Sequence, residues 1–85
     1  MITLSDFEKS SSNYQIKPSK MDDSGIYIRN LGQNIYIWEV CSEHSELVRG
    51  TFYFGYPQDA LDNMIKCEDS TVKQSLKGTF GDKYE

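Results

Sequence analysis

Cys41 and His44 stand three positions apart in "CSEH", and Cys67 is a third soft donor farther along. Side chains of these types do two kinds of chemistry. The first is metal binding, but a structural zinc site takes four ligands, usually as two close pairs. This chain has two cysteines and one histidine, and only Glu68 and Asp69 stand beside Cys67, so no zinc or other metal is expected. The second is nucleophilic catalysis, in which a thiol is activated by a neighbouring imidazole. No third orienting group or oxyanion motif accompanies the pair, and 85 residues leave little room for a substrate pocket. The acid pairs Asp22/Asp23 and Glu68/Asp69 read as solvated turn residues, and no glycine-rich phosphate loop occurs. The chain reads as a non-enzyme without a cofactor.

The bulk properties narrow the partner. Net charge is −4, which opposes direct binding to a phosphate backbone and suits a basic protein that an acidic surface would steer onto. No apolar run approaches the ~18 residues of a membrane span, and the opening "MITLSDFEKS" is too polar for a signal sequence. The cysteines then read as reduced thiols and the expected location is cytoplasmic.

These residues need a scaffold, and the hydrophobic pattern supplies one domain over 1–85. Residues 26–29, 35–41 and 47–54 read as strands of an antiparallel meander, the first two joined by "NLGQ", where Gly32 is free to take positive φ. "NYQIK", with Tyr14 and Ile16 on one face, is a fourth, edge strand that Pro18 ends. Residues 57–67 form the main helix: Pro57 suits its first position, Asp59 its first turn, and Ala60, Leu61, Met64 and Ile65 form one apolar stripe. Ser5 and Glu8 have capping-box spacing, so the N-terminus reads either as a short helix or as a frayed arm. In 70–85, Val72 and Leu76 allow one or two helical turns ending at Gly78. Segments 1–12 and 79–85 are the candidates for flexibility. The fold expected is α+β, a three- or four-stranded antiparallel sheet with one main helix on one face.

One helix covers one side of such a sheet, and the central strand has apolar residues on both. Ile35 and Ile37 share a face; Tyr36, Trp38 and Val40 share the other. The aliphatic face is expected to meet the helix, leaving the Tyr/Trp face either for the chain ends, with Phe7 or Phe80, or for a partner or second copy. Arg29, Tyr36, Trp38, Arg49 and Tyr53 are the candidate contact residues on that face. Glu39, Glu43 and Glu46 are the candidates for a basic partner.

Three resemblances add to this reading. "RGTFYFGY", 49–56, resembles the strand signature of the RNA-recognition motif at Arg49, Gly50, Tyr53 and Tyr56, but not at Thr51 and Phe52. It implies an alternative function, a small RNA-binding domain using an aromatic sheet face, although no strand–helix pair precedes the meander. The order helix–three strands–helix resembles the double-stranded-RNA-binding fold. That family's basic cluster is replaced here by Pro57, Gln58 and Asp59, so only the fold carries over. In size, acidity and layout the whole chain resembles phage-encoded inhibitors of bacterial defence, including anti-CRISPR proteins. That resemblance implies a protein that works in the host cytoplasm by occupying a basic, nucleic-acid-handling surface; it transfers no functional residue.

Overall fold

The computed structural model describes residues 1–17, 24–42 and 46–84. Asp22, Asp23, Glu43 and His44 lie outside them. Five strands, β1 (Glu8–Ser10), β2 (Asn13–Ile16), β3 (Gly25–Asn30), β4 (Tyr36–Cys41) and β5 (Leu47–Arg49), form one sheet of order β1-β2-β3-β4-β5. Every neighbouring pair is antiparallel. Helices α1 (Pro57–Ile65) and α2 (Ser70–Phe80) follow, and short 3-10 turns, Leu4–Asp6 and Gly81–Lys83, stand near the two ends. The α+β meander is as expected. It has one strand more, because the serine run makes a β1–β2 hairpin through Ser11 (φ 55°) rather than ending a helix.

The β3–β4 turn sets which residues share a face. The Gly32 amide donates to Asn30 Oδ1 at 2.7 Å, and the Leu31 amide donates to the Ile35 carbonyl at 2.7 Å. Gly32, Gln33 and Asn34 all carry positive φ (102°, 54° and 59°), which reverses the chain within this loop. The resulting register pairs Ile28 with Trp38 and Ile26 with Val40. Residues directly opposite on paired strands point to the same side, so Trp38 falls on the side with the most aliphatics.

Both helices pack on that side. Ala60, Leu61 and Met64 of α1 and Val72 and Leu76 of α2 are fully buried against Ile26, Ile28, Tyr36, Trp38 and Val40. Each such aliphatic side chain contributes about 1.5–3 kcal/mol before entropy. Tyr36 and Trp38, expected on an open face, are therefore core residues, 9% and 3% exposed. The chain ends reach the same layer: Phe7 is buried, Phe80 is partly buried, and their rings meet at 5.6 Å. One of the two readings put the ends over the Tyr/Trp face. They do pack there, together with α1, which had been expected on the opposite face.

Helix α2 is longer than "one or two turns" because its stripe is Val72, Leu76 and Phe80, four residues apart each time. Asp69 Oδ1 accepts from the Thr71 amide at 2.8 Å, a strong start. Gly78 lies inside the helix and Gly81 (φ 57°) ends it. At the N-terminus the Ser5/Glu8 box does not form. The Thr3 amide donates to Asp6 Oδ2 at 2.9 Å, and Glu8 opens β1.

The last strand departs most from expectation. The Gly50 amide donates to the Trp38 carbonyl at 3.0 Å, and Phe54 exchanges two backbone bonds with Tyr36 at 2.7 and 2.9 Å. Residues 51–53 thus stand opposite Ile37 alone, a bulge that breaks the expected 47–54 strand. Gly50 permits this because a Cβ there would lie 2.7 Å from Trp38 Nε1. The indole cannot retreat, since its N–H donates to Asn63 Oδ1 of α1 at 2.9 Å.

Gly50→Ala is therefore expected to destabilise the fold by about 1–3 kcal/mol. Gly55→Ala, where nothing lies within 4 Å of the added carbon, serves as control. Equal urea midpoints for the two variants would contradict the packing described.

The ends are also tied by charge: Lys83 Nζ lies 2.6 Å from Asp6 Oδ1. The hydrogen bond from Lys83, with that from the Thr3 amide, holds the Asp6 carboxyl below its ordinary pKa. A depressed native pKa stabilises the fold fully above the unfolded value of about 3.9. That stabilisation is lost as pH falls through the native value. Asp6→Asn should flatten the fall of the thermal midpoint between about pH 5 and about pH 2; superimposable profiles would show that the pair contributes nothing.

Candidate partner-binding face

With both helices on one side, the other side of the sheet has no element packed on it among the described residues. Its rows follow from the register. Beginning at the β3–β4 turn they are Leu31 and Ile35, then Arg29 opposite Ile37, then Gln15, Tyr27, Glu39 and Arg49, then Gly25, Cys41 and Leu47.

The third row is built around a carboxylate. Glu39 is 9% exposed, and burying a charge needs compensation. Its Oε1 bonds to Arg29 Nε, and its Oε2 lies 3.3 Å from Arg49 Nε. The Arg29 guanidinium stacks over the Tyr27 ring, 4.5 Å from its centre. Tyr27 in turn lies over Gly25, where a Cβ would come within 2.8 Å of the phenol oxygen. These long side chains shield Ile37, which is 2% exposed although it lies outside the helix-side core. Arg29 and Arg49 nevertheless keep 45% and 51% of their side chains in water. Glu8, opposite Gln15, adds an exposed acid at the β1 edge of this row, in a chain of net charge −4.

The turn end of the same face is apolar. Leu31, Ile35, Tyr53, Phe54 and Gly55 line an open groove of about 420 Å³. Leu31, Ile35 and Tyr53 are 47%, 39% and 66% exposed. Phe52 and Tyr56, from the segment that the bulge throws outward, are also exposed.

Of the residues expected to meet a partner, Arg29, Arg49 and Tyr53 are exposed on or beside this face. Tyr36 and Trp38 are in the core. Glu39 is on the face but neutralised by two arginines. Glu46 stands at the far end, its Oε2 accepting from Thr71 Oγ1 at 3.3 Å, so Glu39 and Glu46 form no acidic surface together. Glu43 lies outside the described residues. Tyr27, Leu31 and Ile35 were not anticipated. A leucine inside a glycine turn was the visible signal for the groove.

The Cys41–His44 pair weighed for metal or nucleophilic chemistry lies partly outside the described residues, which do not include His44. Both thiols are free and half-buried, Cys67 against the helix-side core and Cys41 on the helix-free face. Among the described residues no three His, Cys, Asp or Glu side chains gather as a metal site. Tyr27 is the one aromatic in the four rows, and the Arg29 guanidinium lies over it. No helix of the described residues is long and apolar enough to cross a membrane.

Leu31, Ile35 and Tyr53 of the groove, unlike Phe54, are not packed against the helix-side core. Leu31→Ser and Tyr53→Ser should each change stability by about 0.5 kcal/mol or less, whereas Ile37→Ala should cost about 2–4 kcal/mol. Urea unfolding compares them, and a large loss from Tyr53→Ser would make the groove a structural element.

Compared with protein-family models, with curated proteins and with solved structures, the chain matches none.

Proposed function

We propose that this chain is a non-enzymatic protein-binding module that acts by occupying a site on a partner. The observation that carries the reading is the apolar groove of Leu31, Ile35 and Tyr53 on a helix-free sheet face. Folding does not call for these three exposed side chains, and exposed apolar surface rimmed by polar groups marks interaction sites. Exposed Tyr and Arg beside it are the residue types that dominate binding energy.

The inhibitor form of this proposal rests on the resemblance in size, acidity and layout to phage-encoded inhibitors of bacterial defence, CRISPR–Cas effectors among their targets. Docked through the helix-free face, the chain would turn its helix side outward, where Asp59, Asp62, Glu68 and Asp69 are interspersed with Lys66, Lys73 and Lys77 and Glu68 pairs with Lys73, so the proposed mode is steric occupation of the site.

The test is photo-crosslinking in bacterial extract. A benzoylphenylalanine in place of Tyr53 should give one dominant protein adduct that excess unlabelled chain competes away. The same group in place of Lys77, exposed on α2, should give none. Identical adduct patterns from the two positions, or no competed adduct from position 53, would refute the proposal.

A further inference from the structure

Resting on that reading, we infer that the partner offers an extended acidic segment, with a large apolar side chain for the groove and Asp or Glu carboxylates for Arg29 and Arg49. Net charge alone suggests a basic partner, but Glu39, the acid at the centre of the helix-free face, is neutralised, and the free acid Glu8 stands on the opposite edge strand from Arg49. Glu39 spends one oxygen on each arginine, so a single carboxylate serves two guanidiniums. Each guanidinium has five N–H donors, and the contacts with Glu39 use only Nε of each. The remaining edges are half-exposed and favour a second carboxylate, which a guanidinium binds in bidentate fashion. Its seat over the Tyr27 ring restrains Arg29 in advance, which lowers the ordering cost of binding.

Spacing selects an extended occupant. Leu31 and Arg29 are two residues apart on one strand, about 6.6 Å, and the Arg49 row lies the same distance farther on. Alternate side chains of an extended peptide repeat at that interval, and the two guanidiniums, from β3 and β5, converge on Glu39 of β4 between them. The pattern that fits is an apolar residue followed at the second and fourth positions by acids. A basic segment would meet two arginines, and a phosphate backbone would leave the apolar groove without a contact.

The probe is a fluorescein-labelled decapeptide in which Phe or Leu is followed at alternate positions by Glu. Fluorescence polarisation is measured at low salt, beside a version with Lys for every Glu and beside single-stranded RNA. The acidic peptide should bind at least about ten-fold tighter than the lysine version, the worth of one charge-assisted bond. Arg49→Gln and Tyr53→Ser should each weaken it by about the same factor. Glu39→Gln should tighten it, since it releases both guanidiniums; a merely structural role for the cluster would not improve binding. Circular dichroism confirms that each variant is folded, and Arg49→Gln, at a half-exposed position, carries the test if Glu39→Gln unfolds. Equal or better binding of the lysine peptide, weakening by folded Glu39→Gln, binding of the RNA in place of the peptide, or burial of the groove in a dimer of this chain would each overturn the inference. The crosslink at position 53 separates the two levels. An adduct that survives Arg49→Gln unchanged keeps the protein-binding reading and removes the acidic segment; the absence of any competed adduct removes both.

Discussion

Trp38 is the side chain on which the arrangement of this molecule depends. Its indole is the largest group in the core, its N–H is answered by Asn63 of α1, and its edge fills the place a Cβ would take at Gly50. Those two contacts join the central strand, the first helix and the end of the edge strand at one point. A buried indole needs a hydrogen-bond acceptor, and α1 carries the acceptor, so the helix must lie on the Trp38 side. Once α1 is there, α2, Phe7 and Phe80 join the same layer, and none of the described residues covers the opposite side of the sheet.

The bare side is stabilised by a different means. In place of a second layer of helices it has a lattice of long side chains, with Glu39 held between Arg29 and Arg49, and Arg29 over the Tyr27 ring. That lattice protects Ile37 and neutralises Glu39, the one buried carboxylate among the described residues. It does not extend to the turn end, where Leu31, Ile35 and Tyr53 stay in contact with water. The bulge at 51–53 adds to this, because the residues it expels from the ladder have no partner strand and project at the sheet edge. Apolar groove and half-exposed guanidiniums are thus consequences of the same one-sided packing.

Much of the scaffold was legible beforehand. Alternation marked the central strands, Pro57 and the Ala60–Leu61–Met64 stripe marked α1, and the parity that puts Ile37 and Trp38 on opposite faces was correct. Three features were not. Helix α2 was hidden because Gly78 reads as a stop, whereas Phe80 extends the stripe past it. The bulge was hidden because 47–54 is a good strand sequence, and only contact between Gly50 and Trp38 interrupts it. Of the candidate contact residues, Arg29, Arg49 and Tyr53 were placed on exposed surface, while Tyr36 and Trp38 were assigned to the wrong environment by judging one strand alone.

Sequence by itself determined the class of fold, the order of the strands and which residues alternate, because period and turn chemistry are local properties. It also determined that the chain would have more apolar strand surface than one helix covers. Which face stays open was decided only in three dimensions. Parity within a strand says that two sets of side chains oppose each other, but not which set meets a helix. That choice follows from the β3–β4 register, which adds Ile26 and Ile28 to the Trp38 side, and from Asn63 reaching the indole across 25 residues of chain. The fate of Glu39 was decided the same way: an acid in sequence is a charge for a partner, whereas between two cross-strand arginines it is already neutralised.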